Sequence, residues 1–132
     1  MLKSLTPNVV VHDVNETVEF YRDVLGFQLL TSVPETGKFN WAMMAKDGIK
    51  MMFQTRPSIV EDLAMFADAP IGASQTLFIE VTDVQALYDD LKNKVHIVHD
   101  MRDTFYGTRE FYFEDCNGYV LGFSQTVENA AG

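Results

Sequence analysis

An internal repeat is the sequence feature that most restricts how this chain can fold. The segment Val11-His-Asp13-Val recurs as Val81-Thr-Asp83-Val, at an offset of 70 residues. The same offset relates two further pairs, Gly48 with Gly118 and Phe53 with Phe123. Because one offset holds at three separated places, we conclude that the chain carries two copies of one structural unit.

Both copies predict the same order of elements: one strand, one helix and three strands. In the first copy, Asp13 is a helix N-cap, Glu16 completes a capping box, and Gly26 ends the helix. The strands predicted for this copy are residues 5–12, 27–33, 39–45 and 49–56. The second copy predicts strands at 75–81, 95–101, 109–114 and 119–125, and a helix at 84–91.

These patterns predict an α+β fold in a single domain that spans residues 1–132. Two βαβββ modules, about 5–56 and 75–125, are expected to form one curved mixed sheet with helices on its outer face. Residues 57–74 are expected to link the modules, and helical spacing within 58–69 predicts a short helix there. Residues 126–132 are expected to form a frayed tail.

Composition excludes several classes of protein. Hydrophobic residues make up 47% of the 132 residues, which is typical of a globular chain. The formal net charge of −9 disfavours binding to nucleic acid through phosphate contacts. The single cysteine, Cys116, excludes an internal disulfide. No apolar run is long enough for a membrane span or a signal peptide, so we expect a cytoplasmic protein with no membrane partner.

Two segments resemble the motifs of a known superfamily. Residues 11–27 read VHDVNETVEFYRDVLGF, and residues 106–119 read YGTREFYFEDCNGY. They resemble the opening and the closing hairpin of the glyoxalase/bleomycin resistance/dioxygenase superfamily, also called the vicinal oxygen chelate fold. Cys116 stands where these relatives usually have proline. The resemblance implies a cup-shaped sheet and, usually, a homodimer.

The resemblance also implies where active relatives bind a divalent metal in the cup. The corresponding positions in this chain are Thr6, Met52, Thr76 and Gly122. Such metals need imidazole, carboxylate or amide ligands, and this set of residues does not supply them. We therefore expect no metal and no other cofactor.

Strand alternation predicts which residues face the cup. If the four metal positions face inwards, the apolar residues between them pack against the helices. The candidate ligand-binding residues on the cup side are Asn8, Gln54, Arg56, Phe78, Glu80, Glu110 and Tyr112. Applied to the third strand of each module, the 70-residue offset also places Ala42 and Met44 on the cup side, with Trp41 and Met43 behind.

No catalytic residue is predicted. His96 and His99 are three residues apart on one strand, so alternation places them on opposite faces. Cys116 has no histidine near it in sequence that could activate it.

The expected function is therefore that of a metal-free homodimer that binds or sequesters a small organic ligand in the cup, as bleomycin resistance proteins do. The acidic composition favours a cationic aromatic ligand. Two alternatives stay open. One is a metal-dependent glyoxalase-like lyase or dioxygenase with relocated ligands, and the other is a structural or regulatory dimer without a ligand.

Overall fold

The computed structural model describes residues 1–127, so most of the predicted tail lies outside the described residues. The chain divides into two compact units, residues 1–71 and the part that begins at Gly72. The boundary falls inside the predicted linker. None of the helices within residues 1–127 combines the length and the hydrophobicity of a membrane span.

Each unit has the predicted order of elements. Unit 1 contains β1 (Asn8–Val11), α1 (Val14–Leu25), β2 (Gln28–Val33), β3 (Trp41–Lys46), β4 (Ile49–Thr55) and α2 (Arg56–Asp62). Unit 2 contains β5 (Thr76–Glu80), α3 (Val84–Leu91), β6 (His96–Asp103), β7 (Thr108–Glu114) and β8 (Val120–Thr126). The predicted βαβββ modules are confirmed, with strand ends that shift by up to three residues.

The helix α1 begins and ends where the sequence predicts. The carboxylate of Asp13 accepts a hydrogen bond of 2.9 Å from the backbone N–H of Glu16, which satisfies one free donor of the first turn. Gly26 ends the helix with φ of 76°, a left-handed conformation that glycine adopts without steric cost. The ring centroids of Tyr21 on α1 and Phe53 on β4 are 4.8 Å apart, and this contact packs the helix against the sheet.

The two sheets repeat one topology. Unit 1 has the strand order β1-β4-β3-β2, and unit 2 has the order β5-β8-β7-β6. In both, the first strand runs parallel to the fourth, and the other pairs are antiparallel. Asn8 lies opposite Met52 in unit 1. The residues at an offset of 70, Phe78 and Gly122, lie opposite one another in unit 2, so the repeat extends to the register of these strands.

One face of each sheet packs against a helix and forms the core of its unit. In unit 1 this face carries Val9, Val11, Ala42, Met44, Met51 and Phe53. In unit 2 it carries Phe111, Phe113, Leu121 and Phe123. We call the other face, which points away from α1 or α3, the far face of that sheet.

The third strand of unit 1 contradicts the predicted assignment of faces. Ala42 lies opposite Phe53 and Met44 opposite Met51, so both point to the core. Trp41 and Met43 point to the far face instead. The reason is the hairpin loop, since Lys46 pairs directly with Ile49 across a two-residue turn, whereas five residues separate Glu114 from Val120. Equivalent residues of β3 and β7 are therefore 69 residues apart and not 70. This difference of one residue turns every side chain of β3 to the face opposite to the predicted one.

The prediction for the two histidines is also wrong. His96 lies opposite Glu114 and His99 opposite Tyr112, because a register shift between Ile97 and His99 inserts one extra residue. Both histidines therefore lie on the far face. Even so, residues 1–127 contain no group of three His, Cys, Asp or Glu residues that could hold a metal ion.

The linker helix is shorter than predicted and starts earlier. Thr55 caps α2 by accepting a bond from the backbone N–H of Ser58, and Pro57 lies in the first turn, where proline is tolerated. Leu63 has ψ of 77° and ends the helix, and a single 3-10 turn follows at Ala64–Phe66. Arg56 therefore belongs to α2 and not to the last strand of the unit.

Candidate functional site

The far face of unit 2 is built around an aromatic ring that lies on a glycine. Tyr112 on β7 is opposite Gly122 on β8, and Phe78 on β5 flanks Gly122 on the other side. A Cβ atom added at Gly122 would lie 2.8 Å from Cδ2 of Tyr112 and 3.2 Å from Cδ1 of Phe78. Only glycine leaves room for this arrangement, in which both aromatic side chains lie beside Gly122.

Beside this aromatic pair, Glu110 is fully buried and accepts hydrogen bonds from four hydroxyl groups. Its Oε1 accepts from Tyr106 at 2.9 Å and Tyr112 at 3.3 Å, while Oε2 accepts from Thr108 at 2.9 Å and Ser124 at 3.2 Å. The network joins the loop between β6 and β7 to strands β7 and β8. An ionised carboxylate has about four lone-pair positions, so these donors satisfy it.

The network shifts the pKa values of its members. Burial raises the pKa of Glu110, but the hydrogen bonds from Tyr106, Thr108, Ser124 and Tyr112 outweigh it and leave that pKa below its ordinary value. The hydrogen bond to Glu110 raises the pKa of Tyr106. Burial, and then the charge of Glu110, raise the pKa of Tyr112. Glu110 is therefore an anion at neutral pH, and both phenols keep their protons.

The charged groups around Glu110 differ in how they are held. A guanidinium nitrogen of Arg102 lies 3.9 Å from Oε1 of Glu110 and partly balances its charge. Nδ1 of His96 lies 2.5 Å from Oε1 of Glu114.

Glu80 is exposed on the far face opposite Ser124, and its carboxylate has no hydrogen bond or ion pair with any of residues 1–127. Phe78 is also open to solvent, with 54% of its surface exposed.

The far face of unit 1 has a different chemistry. The amide of Asn8 donates to Oε1 of Gln54 at 2.9 Å, and Nε2 of Gln54 donates to Ser58 at 2.9 Å. Trp41 lies opposite Gln54, and Met43 lies opposite Met52. All three apolar side chains are half-buried. This face therefore combines an amide pair with an apolar floor whose methionines can adapt to the shape of a ligand.

Arg56 is held by the backbone of the linker. Its guanidinium donates to the carbonyl oxygens of Phe66 at 2.6 Å, Ala67 at 3.0 Å and Ala69 at 2.7 Å. These bonds fix the segment that follows α2. A contact between Arg56 and a ligand stays a prediction.

The positions that hold a metal in active relatives do not fit a metal here. Gly122 has no side-chain donor, and the ring of Tyr112 lies where a side chain at 122 would point. Met52 offers only a thioether, which is a poor ligand for hard divalent ions. Thr6 precedes β1, and Thr76 begins β5.

Some residues of the site were not found from the sequence. Tyr106 and Arg102 were missed because they reach Glu110 from a loop and from an irregular edge strand. Trp41 and Met43 were assigned to the wrong face. The Asp47-Gly48 dipeptide carried the missing signal, because such a dipeptide favours a two-residue hairpin turn, which fixes the pairing of β3 with β4.

The fold defines a class of protein that is built from two related βαβββ modules, each with one sheet face turned away from its helix. A sequence profile of the Glyoxalase/Bleomycin resistance protein/Dioxygenase superfamily matches residues 4–123. The chain therefore belongs to this superfamily. No curated protein sequence matches it significantly.

Solved structures share the fold. A glyoxalase/bleomycin resistance protein/dioxygenase from Nocardioides is 21% identical, with a TM-score of 0.79 over 98% of this chain and 87% of that one. TnmS3, an antibiotic binding protein from Streptomyces sp. CB03234, is 25% identical, with a TM-score of 0.73 over 96% and 98%. TioX from Micromonospora sp. ML1 is 19% identical, with a TM-score of 0.72 over 96% and 98%.

Proposed function

We propose that this protein binds a small, cationic aromatic molecule without a metal ion, and that it binds this molecule rather than transforming it. The observation that carries the proposal is that Phe78 and Tyr112 both lie against Gly122, on the same face as Glu80, whose carboxylate has no partner among residues 1–127.

Aromatic rings and a free carboxylate suit such a ligand for physical reasons. The faces of Phe78 and Tyr112 attract a planar ring through stacking and a cation through their negative electron density. Glu80 adds a negative charge that no described residue neutralises. The net charge of −9 raises the local concentration of cations around the protein.

Taken by itself, the far face of unit 1 offers contacts of a different kind. The amides of Asn8 and Gln54 can exchange hydrogen bonds with polar groups, and Arg56 anchors the backbone that follows α2. Trp41, Met43 and Met52 add apolar area.

The comparisons support a binding role. TnmS3 is an antibiotic binding protein, and it is similar to this chain over nearly its whole length. The absence of metal is supported by the chemistry of Thr6, Met52, Thr76 and Gly122. A homodimer and a cytoplasmic location are part of the proposal as well.

A screen of cationic aromatic compounds tests this function. Thermal shift finds compounds that stabilise the wild type in the presence of a chelator, and calorimetry then measures their Kd. We expect Tyr112→Ala to weaken a hit by at least about tenfold, because it removes an aromatic contact surface. We expect Glu80→Gln to weaken it by about fivefold, since an exposed ion pair contributes ~1 kcal/mol.

Glu61→Gln on α2 is the matched control, because Glu61 is exposed and removing it changes the net charge equally. This variant should bind like the wild type. A hit that binds all variants alike would place the ligand away from Phe78 and Tyr112. Hits that need an added divalent metal would favour the metal-dependent alternative.

A further inference from the structure

The sequence-based prediction has Glu110 contacting the ligand directly, but its surroundings support another role. Its side chain is fully buried, and four hydroxyl groups donate to its two oxygens. The nearby Arg102 balances part of its charge. A carboxylate held in this way has no free lone pair with which to meet a ligand.

The direction of these hydrogen bonds is fixed by chemistry. An ionised carboxylate only accepts hydrogen bonds, so each hydroxyl must be the donor. A phenol has a single proton, and Tyr106 and Tyr112 both give theirs to Oε1 of Glu110. Their oxygens keep acceptor lone pairs but have no proton to offer elsewhere. Thr108 and Ser124 are committed in the same way through Oε2.

The two phenols lie where a ligand on the far face would meet them. Tyr106 is 55% exposed, and Tyr112 is half-buried above Gly122. We propose that Glu110 is a positioning residue that turns the hydroxyl protons inwards, so that this part of the far face accepts hydrogen bonds and selects ligands that donate them. This inference rests on the proposed function and narrows its ligand class to molecules with N–H groups, such as amidines, amines and primary amides.

Specificity follows because the wrong ligand would leave polar atoms unpaired. A ligand carboxylate placed against Tyr106 and Tyr112 would meet lone pairs, and a site built for one hydrogen-bond polarity rejects the other strongly. Arg102 is the one cation close to Glu110 among the described residues, and it lies on the side of β6. An Arg102→Ala variant therefore shows whether the guanidinium itself contacts the probe.

The variant Glu110→Gln tests the proton arrangement directly. Glutamine keeps the shape of the side chain, but its NH2 group donates two hydrogen bonds, so about half of the hydroxyls must turn their protons outwards. Without ligand, a spectrophotometric titration of tyrosine ionisation should show two of the five tyrosines ionising at lower pH than in the wild type. Tyr106→Phe and Tyr112→Phe identify the two steps. An unchanged titration would overturn the inference, whatever the ligand.

Three probes of one shape then test selection by ligand-observed NMR: benzamidine, benzamide and acetophenone, in which a methyl group replaces the NH2 group of benzamide. We expect the wild type to bind benzamidine and benzamide at least about tenfold more tightly than acetophenone, which corresponds to ~1.4 kcal/mol. Benzamide and acetophenone are both neutral, so the ratio of their affinities reports hydrogen-bond polarity and not charge. Glu110→Gln should reduce the ratio of benzamide to acetophenone affinity, and Glu61→Gln should leave it unchanged.

The outcomes separate this inference from the proposed function. Equal binding of benzamide and acetophenone by the wild type, or an unchanged ratio in Glu110→Gln, would overturn the selection. Failure of all three probes to bind, with the tyrosine titration shifted as expected, would count against the ligand site itself. If Glu110→Gln does not fold, Tyr106→Phe and Tyr112→Phe decide the question, because each removes an acceptor oxygen and should lower the same ratio.

Discussion

At the scale of single residues, Gly122 and Tyr112 depend on one another. The change Gly122→Ala puts a methyl group 2.8 Å from a ring atom of Tyr112, so the ring must move. We expect a loss of about 1–3 kcal/mol in the free energy of unfolding, the usual cost of overpacking. In a Tyr112→Ala background the same change should cost much less, which urea unfolding of the double-mutant cycle measures. Additive losses would show that the two residues do not touch.

Glu110 should make the protein less stable at acidic pH than at neutral pH. Its pKa in the folded chain is lowered, so its contribution to stability is fully present above the unfolded value of about 4.3 and is lost as the pH falls through the lower folded value. Urea unfolding between neutral and acidic pH should therefore show a steeper acid loss for the wild type than for Glu110→Gln. Parallel curves for the two proteins would contradict this account.

At the scale of elements, Arg56 should hold the backbone after α2. Lysine cannot replace three bonds from a planar guanidinium, so Arg56→Lys should raise hydrogen exchange of residues 64–69 while the amides of the sheet stay protected. Arg22→Lys is the control, since among residues 1–127 the guanidinium of Arg22 pairs with exposed Asp23, the next residue in sequence. Equal exchange in 64–69 for the wild type and Arg56→Lys would show that the bonds have no such role.

The sequence predicted elements better than faces, for physical reasons. The caps at Asp13 and Asp83 and the repeated strand patterns act locally, so the order of elements could be predicted directly. The face of β3 depends on the length of a turn, and the face of His99 depends on an extra residue in β6. Both are set by pairing between strands, which a one-residue change reverses. The hydroxyl network of Glu110 could not be predicted, because Tyr106 reaches it from a loop.

At the scale of the whole molecule, the proposal includes a homodimer. The resemblance that implies a cup also implies that modules pair within or between chains, and unpaired sheet edges favour association. Sedimentation at micromolar concentration should give about twice the chain mass of 15.0 kDa. A species of 15.0 kDa at that concentration would contradict the homodimer but not the ligand site.

The central claim is that the far face of unit 2 binds an organic cation without a metal. Native mass spectrometry tests it most directly, on protein dialysed against a chelator and then mixed with the best compound from the screen. We predict a mass that equals protein plus compound with no metal, and loss of that species in Tyr112→Ala but not in Glu61→Gln. A complex that forms only when a divalent metal is restored, or one that survives Tyr112→Ala unchanged, would contradict the claim.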